Sequence, residues 1–188
     1  MKKDRIEMNK TLTVILTAIN ASLYTVVGYL TYMGIVIYGV RFWPAVVVPG
    51  LFAALFGPLV GGVGAAIGIF LSDMLTHGMP LLSLSVGVTS NFIAFYILGN
   101  ISRNYSLKRY VFASTFSLLV GSAIIGLGVW GWSQYFFLPG TKEVVPMPLI
   151  AAFSTFVWTF VSEIPFLLII VPPLVNAVKR AFPSVLNA

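Results

Sequence analysis

Cysteine is absent from this chain of 188 residues, and histidine occurs once, as His77. The first absence excludes disulfides, thiol nucleophiles and cysteine-held metals, and leaves the redox compartment unread. The second excludes a metal site built on a histidine cluster. Charge is scarce too: Asp, Glu, Lys and Arg make up 9% of the residues, only five of them acidic, against roughly 25% charged residues in an ordinary soluble domain. There is no glycine-rich phosphate loop followed by Lys and Ser or Thr, so the chain does not hydrolyse ATP by itself. A nucleophilic mechanism would have to rest on Ser72, Asp73 and His77, whose closeness in sequence is weak support. The chain therefore reads as non-enzymatic, with no cofactor.

Apolar residues are abundant, at 59% of the chain with a mean hydropathy of +0.98. A helix that crosses a bilayer needs about 20 largely apolar residues. Such runs occupy 11–33, 43–56, 58–75, 80–101, 110–132 and 148–178. The expected fold is all-α: a polytopic membrane protein with six transmembrane helices in one bundle over 11–178, between an N-terminal segment 1–10 and a C-terminal tail 179–188. The first run is too long for the apolar part of a secretory leader and lacks a small-residue cleavage site. The weakest span is 43–56, split from the next by Gly57-Pro58 and itself containing Pro44 and Pro49. Pro172-Pro173 should bend or end the last helix, and 131–148 reads as a long external loop of the kind that often serves as a lid.

The net charge of +6 does not form a nucleic-acid patch, because the basic residues flank the spans. Lys2, Lys3, Arg5, Lys10, Arg103, Lys108, Arg109, Lys179 and Arg180 all fall on one side of a six-span topology, while Arg41 and Lys142 fall on the other. The positive-inside rule then places both termini and the segment 103–109 in the cytoplasm of a plasma-membrane protein.

Small residues recur every fourth position as Gly57, Gly61 and Ala65, and as Gly64, Gly68 and Ser72, which lets helix backbones approach closely. The first helix carries a row of Thr17, Ala21 and Thr25 beside a second of Ala18 and Ser22. Either could receive a helix of this chain or of a partner. Glu163 is the acidic residue near the middle of a span, where an ionisable group is a functional candidate by default. It shares a face with Thr155, Trp158, Thr159 and Ser162, and the fourth span offers a matching face of Ser83, Gly87, Ser90, Asn91 and Ala94. A structural, hydrogen-bonded Glu163 and an interhelical Asn91 are the alternatives. Arg41, Trp43, Asp73, His77, Trp130, Trp132 and Tyr135 sit at the outer ends. Their aromatics would form an interfacial belt or stack on a flat ligand, and Arg41 could pair with Asp73.

The run VRFWPAVVVPGLFAALFGPLVGGVGAAIGIFLSDML at 40–75, with Phe56, Gly57, Pro58, Gly61, Ser72 and Asp73 at its turn and end, resembles the S components of energy-coupling factor importers. The resemblance extends over nearly the whole chain. It implies a subunit that captures a vitamin or another micronutrient from outside and docks on a transmembrane coupling protein driven by two ATPases. It also implies a docking face on the first helix, at Ala18, Ala21 and Ser22, and an outward-facing pocket bounded by elements that hold Arg41, Asn91, Trp130, Tyr135, Trp158 and Glu163. The aromatics favour a ring-containing ligand. A self-sufficient transporter or channel and an intramembrane enzyme are the alternatives; the internal repeats common in stand-alone carriers are not evident.

Overall fold

The computed structural model describes residues 9–32 and 34–182. Lys2, Lys3, Arg5, the end of the first predicted run at Met33 and the last six residues of the tail lie outside the described residues. Seven helices follow in order: α1 (Lys10–Leu30), α2 (Pro44–Phe56, opening with a 3-10 turn), α3 (Pro58–Thr76), α4 (Pro80–Ile101), α5 (Leu107–Ser133), α6 (Leu149–Ile169) and α7 (Val171–Ala181). Among the described residues, five stretches are long and apolar enough to cross a membrane: α1, α3, α4, α5, and α6 with α7. The chain is an all-α polytopic membrane protein, and α2 is the shorter apolar helix beside those five.

Local chemistry sets the boundaries. Asn9 Oδ1 accepts from the Thr11 amide at 3.1 Å and caps α1, and Ser106 Oγ accepts from the Arg109 amide at 3.3 Å and caps α5. Gly57, at φ 91°, makes the corner between α2 and α3, a backbone conformation that a side chain would strain. Pro172 and Pro173 sit in the first turn of α7, where their missing amides cost nothing, so they end α6 at Ile169. Between α1 and α2 the chain makes a β-hairpin, β1 (Val36–Ile37) and β2 (Val40–Arg41), paired Val36 to Arg41 and Ile37 to Val40. Its two turn residues, Tyr38 and Gly39, have φ of 48° and 78°, the left-handed pair that suits a two-residue hairpin loop.

The glycines of α3 decide how the bundle closes. A Cβ at Gly64 would lie 2.3 Å from Asn20 Nδ2, and one at Gly68 would lie 2.8 Å from the Ala21 carbonyl oxygen and 2.9 Å from Tyr24 Cβ. The row Gly64, Gly68, Ser72 is thus the seam that receives α1. Asn20 Nδ2 donates to Val60 O at 2.8 Å, and Thr25 Oγ1 donates to Gly68 O at 3.1 Å along the same seam. One turn round, a Cβ at Gly61 would lie 2.4 Å from Ala53 Cβ, so that row receives α2. Around this pair the neighbours run α1, α3, α4, α5, α6, with α2 inside, touching α1, α3, α4, α6 and α7. No residue of α2 is exposed.

Candidate functional site

At the hairpin end of the bundle, β2, the C-terminal turn of α3 and the start of α4 converge on Asp73. The Arg41 guanidinium pairs with its carboxylate through Nη2 and donates through Nη1 to Thr76 Oγ1 at 2.7 Å. Ser83 Oγ donates to Asp73 Oδ2 at 2.7 Å, and His77 Nε2 stands 3.4 Å from Oδ1. The Arg41–Asp73 pair foreseen as an alternative therefore forms. Both side chains are nearly enclosed, at 11% and 8% exposure. The guanidinium also lies 4.2 Å from the centre of the Trp43 ring, a cation–π contact.

A second chain of bonds runs deeper. Trp43 Nε1 donates to the Tyr24 hydroxyl at 2.8 Å, that hydroxyl donates to Asn91 Oδ1 at 2.7 Å, and Asn91 Nδ2 donates to Gly87 O at 2.9 Å. Trp43 is buried, so it is part of the interior and not of an aromatic belt. Tyr24, with no exposed surface, links α1 to the start of α2 and to α4. Ser83–Val88 is π-helical, a wider turn often found at functional sites. It brings Ser83, Val86 and Gly87 to the same wall.

These elements enclose a cavity of about 90 Å³ under the hairpin. Arg41, Asp73, His77, Ser83, Asn91 and Glu163 supply its polar lining; Ile69, Val86, Ile125 and Pro139 are among the apolar residues. A smaller space of about 20 Å³, enough for one water, lies beside Ser90, Ala94, Ser122 and Thr159 and shares Asn91, Ile125 and Glu163 with the first. The polar faces read from α4 and α6 border the same spaces, and Asn91 and Glu163 line both. At this volume the main cavity is well below the roughly 300 to 1,000 Å³ of pockets that hold organic ligands.

Of the six expected ligand residues, Arg41, Asn91 and Glu163 line the cavity. Trp158 stands one layer back, its Nε1 donating to Val40 O at 3.1 Å and its ring packing on Phe42, so it braces the hairpin. Trp130 and Tyr135 are not brought to the cavity. Val129 takes the lining position on α5, and the next residue is rotated by about 100° on a helix. Tyr135 lies beyond the end of α5, 77% exposed. On α1, Ala18 and Ser22 are exposed, whereas Ala21 is buried against α3. The rows that looked equivalent in sequence divide: Ala21 and Thr25 pack inside the chain, and the row of Ala18 and Ser22 stays open. Tyr24 was the interior polar residue least legible beforehand. It reads as one more residue of an apolar run.

The family model described as ECF transporter, substrate-specific component, matches residues 10–175. No curated protein and no solved structure matches the chain.

Proposed function

Since the chain belongs to the substrate-specific components of ECF transporters, we propose that its ligand, a ring-containing vitamin or other micronutrient, is held in the cavity beneath the hairpin by Arg41, Asn91 and Glu163. The protein is the substrate-specific binding subunit of an ECF importer, a multi-pass plasma-membrane protein whose family works with a coupling protein and ATPases. The observation that supports this site is Glu163, 7% exposed at the junction of both cavities. A carboxyl group at that depth in a membrane protein is costly to keep. Displacement of the hairpin would enlarge a cavity that is too small, as it stands, for such a ligand. Thermal stabilisation of the purified chain by fractions of a nutrient extract tests the assignment: loss of that response on narrowing the cavity with Val86→Phe is expected, and an undiminished response would move the site elsewhere.

Docking on the coupling protein is assigned to the open row of α1. Ala18→Trp is expected to reduce co-purification with the coupling protein and its ATPases at least tenfold while ligand binding by the isolated chain persists, because an indole fills the groove into which a neighbouring helix would pack. Equal loss of both activities would place Ala18 in the bundle's own packing.

Both termini and the loop after α4 are assigned to the cytoplasm, on the distribution of basic residues. Asn104, exposed in that loop, is the better reporter than its neighbour. Tyr105 packs against Tyr110 with ring centres 5.6 Å apart, carries Lys179 over its face, and has its hydroxyl raised above the ordinary tyrosine range by burial. Asn104→Cys in this cysteine-free chain is expected to resist an impermeant thiol reagent in intact cells and to react after lysis. Labelling in intact cells would invert the topology.

A further inference from the structure

We infer that the ligand taken by this cavity is a cation, a small molecule whose positively charged nitrogen donates its hydrogens to Glu163. The inference rests on the cavity being the binding site and adds the chemical class of what enters it.

It follows from the hydrogen bonds that the lining groups already make. Arg41 commits one arm of its guanidinium to Thr76 and the other to Asp73, and lays its face on Trp43. Asp73 is met by Arg41, by the Ser83 hydroxyl and by His77. His77 Nδ1 accepts from the Met79 amide at 3.3 Å, which leaves Nε2 as the nitrogen that carries a proton toward Asp73. Asn91 has its oxygen taken by Tyr24 and one amide hydrogen taken by Gly87 O. Among the described residues, Glu163 is the lining residue whose charged group has neither a hydrogen bond nor an ion pair, although it is 93% enclosed by the figure of 7% exposure.

The lining thus has its cationic group neutralised by its neighbour and an acid left over. Beside one uncommitted hydrogen of Asn91 and the unpartnered Ser122 hydroxyl, the junction offers the Glu163 carboxyl oxygens, which accept, and a ligand group that pairs with them must donate. An anion would find the Arg41 charge already compensated by Asp73, and the acid Glu163 beside it. A neutral ligand would offer Glu163 no counter-charge, and a carboxyl group is costly to ionise at this depth. A cation removes both problems and gains charge-assisted hydrogen bonds. The apolar walls of Ile69, Val86, Ile125 and Pro139 suit the uncharged remainder of such a molecule.

The test uses the full chain purified in detergent and three fractions of yeast extract separated by ion exchange at pH 7 into cations, neutrals and anions. Thermal unfolding of the wild-type chain is followed as each fraction is added. The cation fraction is expected to raise the unfolding midpoint, and Glu163→Gln is expected to need at least tenfold more of that fraction for the same shift. Stabilisation by the anion or neutral fraction alone, or an equal response of wild type and Glu163→Gln to the cations, overturns the inference while leaving the cavity as a binding site. Stabilisation by none of the three overturns the cavity assignment along with it. The wild-type arm decides the charge of the ligand even if the variant fails to fold.

Discussion

Asp73→Ala is expected to destabilise the protein by about 3 to 5 kcal/mol, the range for removing one partner of a buried ion pair. The cause is what remains. Arg41 would keep its place between Thr76 and the Trp43 ring with its charge uncompensated, at 11% exposure, and Ser83 would lose the acceptor that ties α4 to α3. Because the pair is nearly enclosed, screening by salt should recover little of the loss. Chemical denaturation in detergent micelles measures it directly. The combined change Arg41→Met with Asp73→Leu should return most of the stability, since apolar residues of similar volume replace buried pairs at little cost. A single Asp73→Ala within 1 kcal/mol of wild type would mean that water reaches Arg41.

The second large effect is expected at the seam between α1 and α3. Gly68→Val should cost about 3 kcal/mol, the upper part of the usual range for overpacking. The new Cβ would stand 2.8 Å from the Ala21 carbonyl oxygen, which is backbone and cannot swing aside, and 2.9 Å from Tyr24 Cβ and Cδ1. Relief requires α1 to move out. Tyr24 would move with it, breaking the link from Trp43 through its hydroxyl to Asn91. Stability and ligand binding should therefore fall together, in contrast to Ala18→Trp one row away, which should spare both in the isolated chain. Gly68→Val with stability unchanged would show the seam to be looser than its distances indicate.

Much of the architecture can be read from hydropathy, because a membrane leaves few ways to satisfy a backbone. The apolar runs, the corner at Gly57-Pro58, the stop at Pro172-Pro173 and the glycine rows of α3 all have a cause visible in the residues. The inward direction of the α4 and α6 polar faces was legible for the same reason: Asn91 and Glu163 are too costly to point at lipid. What sequence could not decide is which of two neighbouring faces a partner occupies. Ala18 and Ala21 are the same residue type three positions apart, and only the position of α3 separates them. The β-hairpin has two residues per strand, too few to show a period of two. Trp43 had the composition of an interfacial anchor, and its burial depends on Tyr24, 19 positions earlier. That Trp130 and Tyr135 do not line the cavity was not legible, because an aromatic near the outer end of a span carries no mark of the direction in which it points.

A helix shorter than the hydrocarbon layer usually forces a compromise: the lipids thin around it, its flanking side chains stretch toward the headgroups, or it seeks company. At 1.5 Å per residue, Pro44–Phe56 extends about 20 Å, against a layer of about 30 Å. It is shielded from much of that mismatch, since α1, α3, α4, α6 and α7 pack around it and none of its residues is exposed, Pro44, Val47, Val48, Leu51, Leu55 and Phe56 being half-buried. Hydrophobic mismatch therefore falls mainly on the peripheral helices. A thicker or thinner bilayer would act on their tilt, while the enclosed helix keeps its length, and with it the depth at which the hairpin is held.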